Sequence, residues 1–348
     1  MAQIPKNLPQ DAWSEYLEKF GLKLVSRGKV RDTWRLTDAY LLMIATDRIS
    51  IFDFVLNTSI PKKGEVLTAL THFWLTEVLS DFDHHLAYSD ACQDFCVAAD
   101  LRDDEFEGIS LPNLPVERCL VIKDLSKMMY IFEMIFRYHI GGSVYKKYLK
   151  TSTAGGQKLP PNLPKWSKLN SPIFTPSTKE EVGHDVNVDV DYFFAEMEKL
   201  GRLDEAKRVV ENLTAAYTKA YAYAEKLGIL ILDTKFEIAA MILADEIVTP
   251  DSSRFCTKED WEKAMTEGRD PNFLDKQPVR DWGATIETPF GVTGINKLDS
   301  KNPEHVAFVH NVEVPQETIK QCTERYLKIF EMLTKQTLAQ YQENRMGV

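Results

Sequence analysis

The chain has 348 residues, 44% of them hydrophobic and 27% charged, a composition typical of folded globular proteins rather than disordered or fibrous ones. Its formal net charge of -10 argues against a general nucleic-acid-binding protein, and no apolar run is long enough to cross a bilayer. The five cysteines are scattered and the N-terminus carries no signal-peptide pattern, so we expect reduced thiols in a cytoplasmic protein.

Strand patterns dominate the first third of the chain. A short amphipathic helix is predicted over residues 11–20, and alternating or β-branched stretches then predict strands over 22–36, 40–50 and 51–61. Residues 66–79 carry apolar side chains at helical spacing, which predicts a helix packed on the sheet. No pattern stands out in 81–118, and residues 119–125 predict a further strand.

The remainder of the chain mixes strands with longer helices. Residues 131–140 predict a strand, whereas the Gly- and Pro-rich residues 151–176 predict a loop and a candidate boundary between structural units. Helices are predicted over 191–203, over 204–227 with Gly228 as its stop, and over 315–341. This order predicts an α+β fold with a mainly antiparallel N-terminal sheet, divided into domains of residues 1–125 and 126–348.

The stretch from Gly228 to Phe255 places charged side chains at the ends of apolar strands. After four aliphatic residues, Asp233, Lys235 and Glu237 follow at a spacing of two, which puts them on one face of a strand. A second apolar run, 241–244, leads into Asp245, Glu246 and a polar turn that carries Arg254. Acids this close repel each other unless cations compensate them. The pattern favours a magnesium and phosphate site, and a solvated strand end with surface ion pairs is the alternative.

Other charged stretches interrupt strands or fill loops. Gly28 allows close approach of the backbone to a ligand, and Lys29 and Arg31 alternate onto one face of a predicted strand, which suits phosphates. Arg137 lies inside an apolar strand and is followed by the small-residue turn 141–143, which suits a sugar phosphate. Taken singly, each stretch is also explained by a solvated strand face or an ordinary turn.

Taken together and in order, these stretches resemble the phosphoribosylaminoimidazole-succinocarboxamide synthase family, also called SAICAR synthetase. The resemblance covers residues 22–340 and is carried by GKVRD, ATDRIS-x-x-D, IP-x-KG-x-x-L, R-x-x-x-x-GS, PIFTPSTK-x-E-x-GHD, DTKFE, DE-x-x-TPDSSRF and DKQ-x-x-RDW. It implies a SAICAR synthase-like, two-part architecture of antiparallel sheets and packed helices, similar to ATP-grasp and kinase-like nucleotide binders.

The resemblance also implies an activity and its co-substrates. Members of the family use ATP to join L-aspartate to the carboxylate of carboxyaminoimidazole ribonucleotide through an acyl phosphate. The products are SAICAR, ADP and phosphate, in de novo purine biosynthesis. ATP as co-substrate and Mg²⁺ are therefore expected, with small molecules as the partners and neither nucleic acid nor membrane. Whether the chain forms a homo-oligomer is left open.

Residue roles follow from the matched motifs. ATP is expected to contact Gly28, Lys29, Arg31, Lys123, Glu237 and Asp245. The metal is expected on Glu237, Asp245 and Glu246. The catalytic group is expected to comprise Lys29, Asp233, Lys235 and His184, with a general-base role for His184 left open. The other substrates are expected to contact Asp47, Asp53, Arg137, Ser143, Lys179, Asp185, Arg254, Lys276 and Arg280.

The chain departs from the family pattern in several places. Val186 stands where a glutamate is usual, and Tyr138 and His139 replace the usual Gly-Tyr. The turn between Glu237 and Asp245 is shorter than usual and lacks Gly, Asn and Pro, so the choice between Asp245 and Glu246 as metal ligand stays open. Two other hypotheses are kept: a diverged ATP-dependent ligase or phosphotransferase of the same fold acting on another acid, and a non-catalytic nucleotide-binding relative.

Overall fold

The N-terminal sheet consists of four antiparallel strands. The computed structural model of the chain describes residues 3–6, 8, 11–19, 21–87, 114–179 and 186–348. The sheet contains β1 (Lys23–Arg27), β2 (Arg31–Arg35), β3 (Tyr40–Ala45) and β6 (Cys119–Lys123). They pair in the order β1-β2-β3-β6, and a separate hairpin of β4 (Arg48–Ile51) and β5 (Phe54–Ser59) follows β3 in the chain.

The single strand predicted over residues 22–36 is in fact two. The backbone N–H of Gly28 donates to the carbonyl of Arg31 at 2.7 Å and closes a tight turn between β1 and β2. Lys29 therefore lies in the turn, while Arg31 begins β2. The two side chains do not alternate along one strand as predicted.

The second sheet is larger and is centred on two long strands. Its members are β7 (Phe132–His139), β10 (Lys168–Phe174), β11 (Ser177–Thr178), β12 (Ile229–Ala239), β13 (Ile242–Ala244) and β14 (Ser253–Thr257). The order is β10-β7-β12-β13, with β11 on β7 and β14 on β12.

The loop predicted over residues 151–176 is wrong in part, because it contains β10 and a small hairpin of β8 (Thr153–Ala154) and β9 (Gln157–Lys158). β10 is an edge strand with several exposed residues, which is where a proline such as Pro172 is tolerated. Its sequence therefore lacks the apolar alternation that predicts a strand.

Helices cover both sheets. Those in the described residues are α1 (Asp11–Lys19), α2 (Lys63–Phe73), α3 (Tyr145–Thr151), α4 (Val190–Lys199), α5 (Leu203–Lys226), α6 (Lys258–Glu267), α7 (Gln277–Ala284), α8 (Pro303–His310), α9 (Gln316–Thr334) and α10 (Leu338–Tyr341). π-helical turns extend α2 over Trp74–Val78 and α10 over Gln342–Met346. Within the described ranges, no helix combines the length and apolarity that crossing a membrane requires.

Helix α2 is buried along its whole length. Its charged and polar side chains are paired, as burial of an ionised group requires: Lys63 lies 2.6 Å from Asp251, and the amide of Gln342 donates to Glu65 at 3.2 Å. One hydrophobic cluster contains residues of α2, α5, α9, β3 and β12. This core includes residues from both sides of position 125 and does not separate the chain there. The division into two domains therefore stays a prediction.

Candidate active site

The hairpin of β12 and β13 forms as the sequence indicates. Glu237 lies opposite Ala244, and Ala239 opposite Ile242, so the turn falls at Ala240 and Met241. Ala240 adopts a φ of 52°, a left-handed conformation that costs a residue with a Cβ about 1 kcal/mol. The short turn thus closes without glycine. Asp245 and Glu246 follow β13 directly and come to lie near Glu237.

The three alternating side chains of β12 lie along two adjoining cavities. Asp233 lines the smaller cavity of about 170 Å³, and Glu237 lines the larger one of about 460 Å³. Lys235, between them in sequence, lines both cavities, as do Asp251 and Arg280. β12 therefore connects the two cavities, and the spacing of two places its three charged side chains along them.

In the larger cavity, the β1–β2 turn faces the acids that follow β13. Arg31 donates to Asp245 at 2.7 Å and to Glu246 at 3.1 Å, while Lys29 in the turn donates to Asp53 at 2.5 Å. Burial raises the pKa of Asp245, and the nearby carboxylates of Glu237 and Glu246 raise it further, against the opposing effect of Arg31. The acids are thus crowded and depend on nearby cations.

Two lysines approach Glu237. The ammonium of Lys179 donates to the Glu237 carboxylate at 2.5 Å, and that of Lys235 lies 3.6 Å away and donates to Glu133 at 2.8 Å. Burial alone would raise the pKa of Glu237, but Lys235, Lys179 and Arg31 together lower it to about 2. Glu237 is therefore ionised at neutral pH.

The smaller cavity is built around two arginines. Arg137 on β7 and Arg254 on β14 both donate to the same oxygen of Asp233, and Arg137 also donates to the Thr175 hydroxyl at 2.9 Å. Ser143 lines the same cavity. Two guanidinium groups and a hydroxyl make a set of donors suited to a phosphate.

The small-residue turn before Ser143 is required by packing. Gly142 has a φ of 61°, and a Cβ on it would lie 2.8 Å from a guanidinium nitrogen of Arg254. A Cβ on Gly141 would lie 2.2 Å from the ring of Trp166. The two glycines thus let the chain pass directly beside Arg254.

Asp251 is a functional candidate that sequence reasoning missed. It lines both cavities and contacts Lys63 at 2.6 Å and Lys276 at 3.5 Å, and it accepts the hydroxyl of Tyr326 at 2.6 Å. Burial would raise its pKa, but Lys276 and Lys63 hold the pKa well below the usual range. The sequence signal for Asp251 is its place in the TPDSSRF stretch, three residues before Arg254.

Two other cations complete the junction of the cavities. Lys276 precedes α7 and lines the larger cavity, and burial, together with the neighbouring Arg280 and Lys63, lowers its pKa. Arg280 lies 3.5 Å from Asp275, and burial raises the pKa of this acid. Both cations line the cavities, and their predicted substrate contacts stay predictions.

Two predicted ligand-binding residues lie elsewhere. Asp47 is buried, accepts the backbone N–H of Gly64 at 2.9 Å and pairs with Arg118 at 2.7 Å, so it anchors the start of α2 rather than lining either cavity. Lys123, at the end of β6, is exposed, lines neither cavity and reaches the His84 carbonyl at 3.4 Å. The predictions for His184 and Asp185 lie outside the described residues.

Comparisons with known proteins point to one family. The family model described as SAICAR synthetase matches residues 24–293. A phosphoribosylaminoimidazole-succinocarboxamide synthase of Thermodesulfovibrio yellowstonii is 37% identical over 318 residues, which cover 90% of this chain and 96% of the relative. The corresponding protein of Haemophilus influenzae strain PittEE is 38% identical over 320 residues, with 90% and 97% covered.

A solved structure supports the same assignment. The SAICAR synthase of Saccharomyces cerevisiae, determined in complex with SAICAR, superposes with a TM-score of 0.70 at 33% identity. The match covers 91% of this chain and 96% of the yeast protein. The predicted family and α+β fold are thereby confirmed. The chain belongs to the SAICAR synthetase family, the phosphoribosylaminoimidazole-succinocarboxamide synthases, which are ATP-dependent ligases of purine biosynthesis.

Proposed function

We propose that this protein joins L-aspartate to the carboxylate of carboxyaminoimidazole ribonucleotide, with ATP bound in the larger cavity and the ribonucleotide phosphate in the smaller one. The observation that carries the proposal is the junction of the two cavities, which share Lys235, Asp251 and Arg280. A substrate anchored in each cavity would have its reactive group at this junction. The yeast relative, whose structure holds SAICAR, supports the same class of product.

In the first step, an oxygen of the imidazole carboxylate attacks the terminal phosphorus of ATP and ADP leaves. Such phosphoryl transfer depends mainly on positioning and on neutralising the phosphate oxygens. Lys29 and Arg31, which line the larger cavity, would hold the ATP phosphates beside the backbone of Gly28. Lys235 lines both cavities and would neutralise charge on the group in transfer.

The acids of the larger cavity fit a magnesium ion. No group of three or more His, Cys, Asp or Glu side chains arranged to hold a metal occurs in the part of the chain that the structure describes. Magnesium in phosphoryl-transfer sites needs only one or two carboxylates, since phosphate oxygens and water complete its shell. Glu237 and one of the pair Asp245 and Glu246 would supply these carboxylates. When bound, the ion would neutralise charge on the ATP phosphates. Its positive charge would also compensate the crowded acids.

The smaller cavity would hold the 5′-phosphate of the ribonucleotide. Arg137, Arg254 and Ser143 would donate to its oxygens, and Asp233 would keep the two arginines at a fixed separation. Lys276 and Arg280 would bind carboxylate groups of the substrates at the junction. Lys179 and Asp53, which line the larger cavity, stay predicted substrate contacts.

In the second step, the amine of L-aspartate attacks the acyl carbon, the carbon–oxygen bond to phosphate breaks, and the amine loses a proton as the amide forms. The acyl phosphate is reactive enough to need little help from a general base. Roles for His184 and Asp185 stay predictions, because both residues lie outside the described ranges.

The location proposed is the cytoplasm. Cys119, Cys256 and Cys322 are buried free thiols, as is usual in reducing compartments. The proposed partners are the three small substrates.

The decisive experiment measures ADP release with ATP, magnesium, carboxyaminoimidazole ribonucleotide and L-aspartate, omitting each in turn. The proposal expects sustained turnover only in the complete mixture. Full turnover without L-aspartate would instead show a phosphotransferase, and no turnover in any mixture would favour a non-catalytic nucleotide-binding relative.

A further inference from the structure

A third cavity, of about 480 Å³, lies away from the two catalytic ones and shares no lining residue with them. It is enclosed by the end of α2, the C-terminal half of α5 and the segment that follows α9. Four of its lining residues lie beyond residue 293, where the match to the family model ends: Thr334, Gln336, Tyr341 and Arg345. The cavity is therefore built partly from a segment that the family model does not cover.

Aromatic rings form one wall of this cavity. The ring of Phe73 lies 5.7 Å from that of Tyr223 and 6.2 Å from that of Tyr341, measured between centroids. The tyrosine hydroxyls are already bonded, that of Tyr223 to the Leu333 carbonyl at 2.9 Å and that of Tyr341 to His72 at 2.9 Å. Phe73 and Tyr341 are only 5% and 1% exposed, so Tyr223 is the partly exposed ring of this wall. A planar ring packs favourably on such an aromatic ring.

Three cations, Lys219, Lys226 and Arg345, also line the cavity, together with one carboxylate, that of Glu77. Lys219 and Lys226 are seven residues apart on α5, so they lie on one face of the helix, two turns or about 10 Å apart. Lys219 pairs with Asp81 at 2.5 Å and Arg345 with Glu77 at 3.3 Å. All four of these side chains are at least a third exposed, and pairs so exposed are worth little, so an anion can compete for the cations.

Lys226 is the cation best placed to take a new partner. It is exposed and lines the cavity, and no ion pair to it occurs among the described residues. In a chain with a net charge of -10, three cations around one aromatic cavity form a local exception to the acidic surface.

We propose that this cavity binds a small planar aromatic anion, with its ring against Tyr223 and its phosphate or carboxylate on Lys226 and Arg345. The volume is in the range of small-molecule sites, roughly 300 to 1,000 Å³. An anion without a ring should bind weakly, because exposed cations hold an isolated anion poorly. The ligand therefore needs both its ring and its anionic group for binding.

The test is calorimetric titration of the full chain with 1-naphthyl phosphate in the presence of saturating ADP, magnesium and carboxyaminoimidazole ribonucleotide, which under the proposed function cover both catalytic cavities. The proposal expects saturable 1:1 binding with a Kd below about 1 mM. Inorganic phosphate, which lacks the ring, and 1-naphthol, which lacks the anion, should each bind at least about tenfold more weakly. Wild-type protein that gives no saturable heat, or that binds either half as tightly as the whole, would overturn the proposal.

Two variants locate the site. Ala222→Trp places a large ring in the cavity from an exposed helix position and should abolish binding, and Lys226→Glu should weaken it at least about tenfold. Lys207→Glu is the control, since it makes the same charge change on α5 outside the cavity and should leave binding unchanged. Unchanged binding in Ala222→Trp would place the probe elsewhere and refute the site. The result does not depend on catalysis, which the ADP-release assay measures separately.

Discussion

Asp233 and Arg137 are cross-strand neighbours on β12 and β7, and their side chains form a buried ion pair that Arg254 joins from β14. Burial, together with the neighbouring Arg254, lowers the pKa of Arg137, and Asp233 counteracts this by stabilising the cation. The register of the sheet thus gathers two arginines around one carboxylate. The proposed phosphate site depends on an acid that would itself repel the phosphate.

Asp233→Asn should disturb both the site and the fold. Removing the charge leaves Arg137 buried without compensation, a situation that commonly costs on the order of 3 kcal/mol of unfolding free energy. The KM for the ribonucleotide should rise at least about tenfold, because the arginines lose their fixed separation. Urea unfolding and steady-state kinetics check these effects. Asp204→Asn removes a fully exposed partner of Lys207 and should change neither value comparably; equal behaviour of the two variants would contradict the role of Asp233.

Arg254→Ala should act mainly on ribonucleotide binding. Arg254 lines the smaller cavity and not the larger one, so we expect the KM for the ribonucleotide to rise about tenfold or more and the KM for ATP to change little. Steady-state kinetics with each substrate varied in turn give both values. Arg269→Ala, in which a partly exposed arginine outside both cavities loses its pairs with Asp260 and Glu267, is the control. An unchanged KM for the ribonucleotide in Arg254→Ala would remove this arginine from the phosphate site.

Much of the catalytic hairpin could be predicted because its signals are local. The spacing of Asp233, Lys235 and Glu237 fixes a shared strand face, and the apolar run before Asp245 fixes the second strand. The periodicity of α5 and its Gly228 stop were equally local.

The features that the sequence pattern does not predict depend on contacts between distant parts of the chain. Asp47 looks like a ligand-binding acid at a strand end, but the approach of Gly64 and Arg118 from elsewhere in the chain turns it into an anchor for α2. The role of Asp251 arises only when Lys63 and Tyr326 reach it from α2 and α9. β10 is specified by its pairing with β7 rather than by its own pattern.

Glu237→Gln should reduce kcat by about a hundredfold or more, because the neutral amide would bind magnesium poorly and the site would lose a preorganised charge. The measurement is kcat over a magnesium titration, with ATP and both other substrates saturating. Glu225→Gln changes an acid that pairs with Lys168 on the surface and should retain wild-type kcat. Near-normal turnover of Glu237→Gln at saturating magnesium would show that Glu237 is not a metal ligand.

His139 should make the stability of the protein depend on pH. Its Nδ1 lies 3.0 Å from the Trp166 carbonyl, which can only accept, so Nδ1 carries the proton and Nε2 accepts the Tyr221 hydroxyl at 3.2 Å. Burial is the main cause that lowers the pKa of His139 from 6.5 to about 4. A proton on Nε2 would both charge a buried ring and remove the acceptor of Tyr221.

Because the folded-state pKa is the lower one, the unfolded chain takes up the proton first as the pH falls. The stability that neutral His139 contributes is fully present above about pH 6.5. As the pH falls toward 4, the unfolding free energy drops by on the order of 2 to 3 kcal/mol. His139→Gln keeps a donor and an acceptor but does not titrate, so its unfolding free energy should change less between pH 7 and pH 4. Urea unfolding of both proteins at several pH values in this range measures the difference. If the unfolding free energies of the two proteins fall in parallel with pH, His139 does not cause the loss of stability in acid.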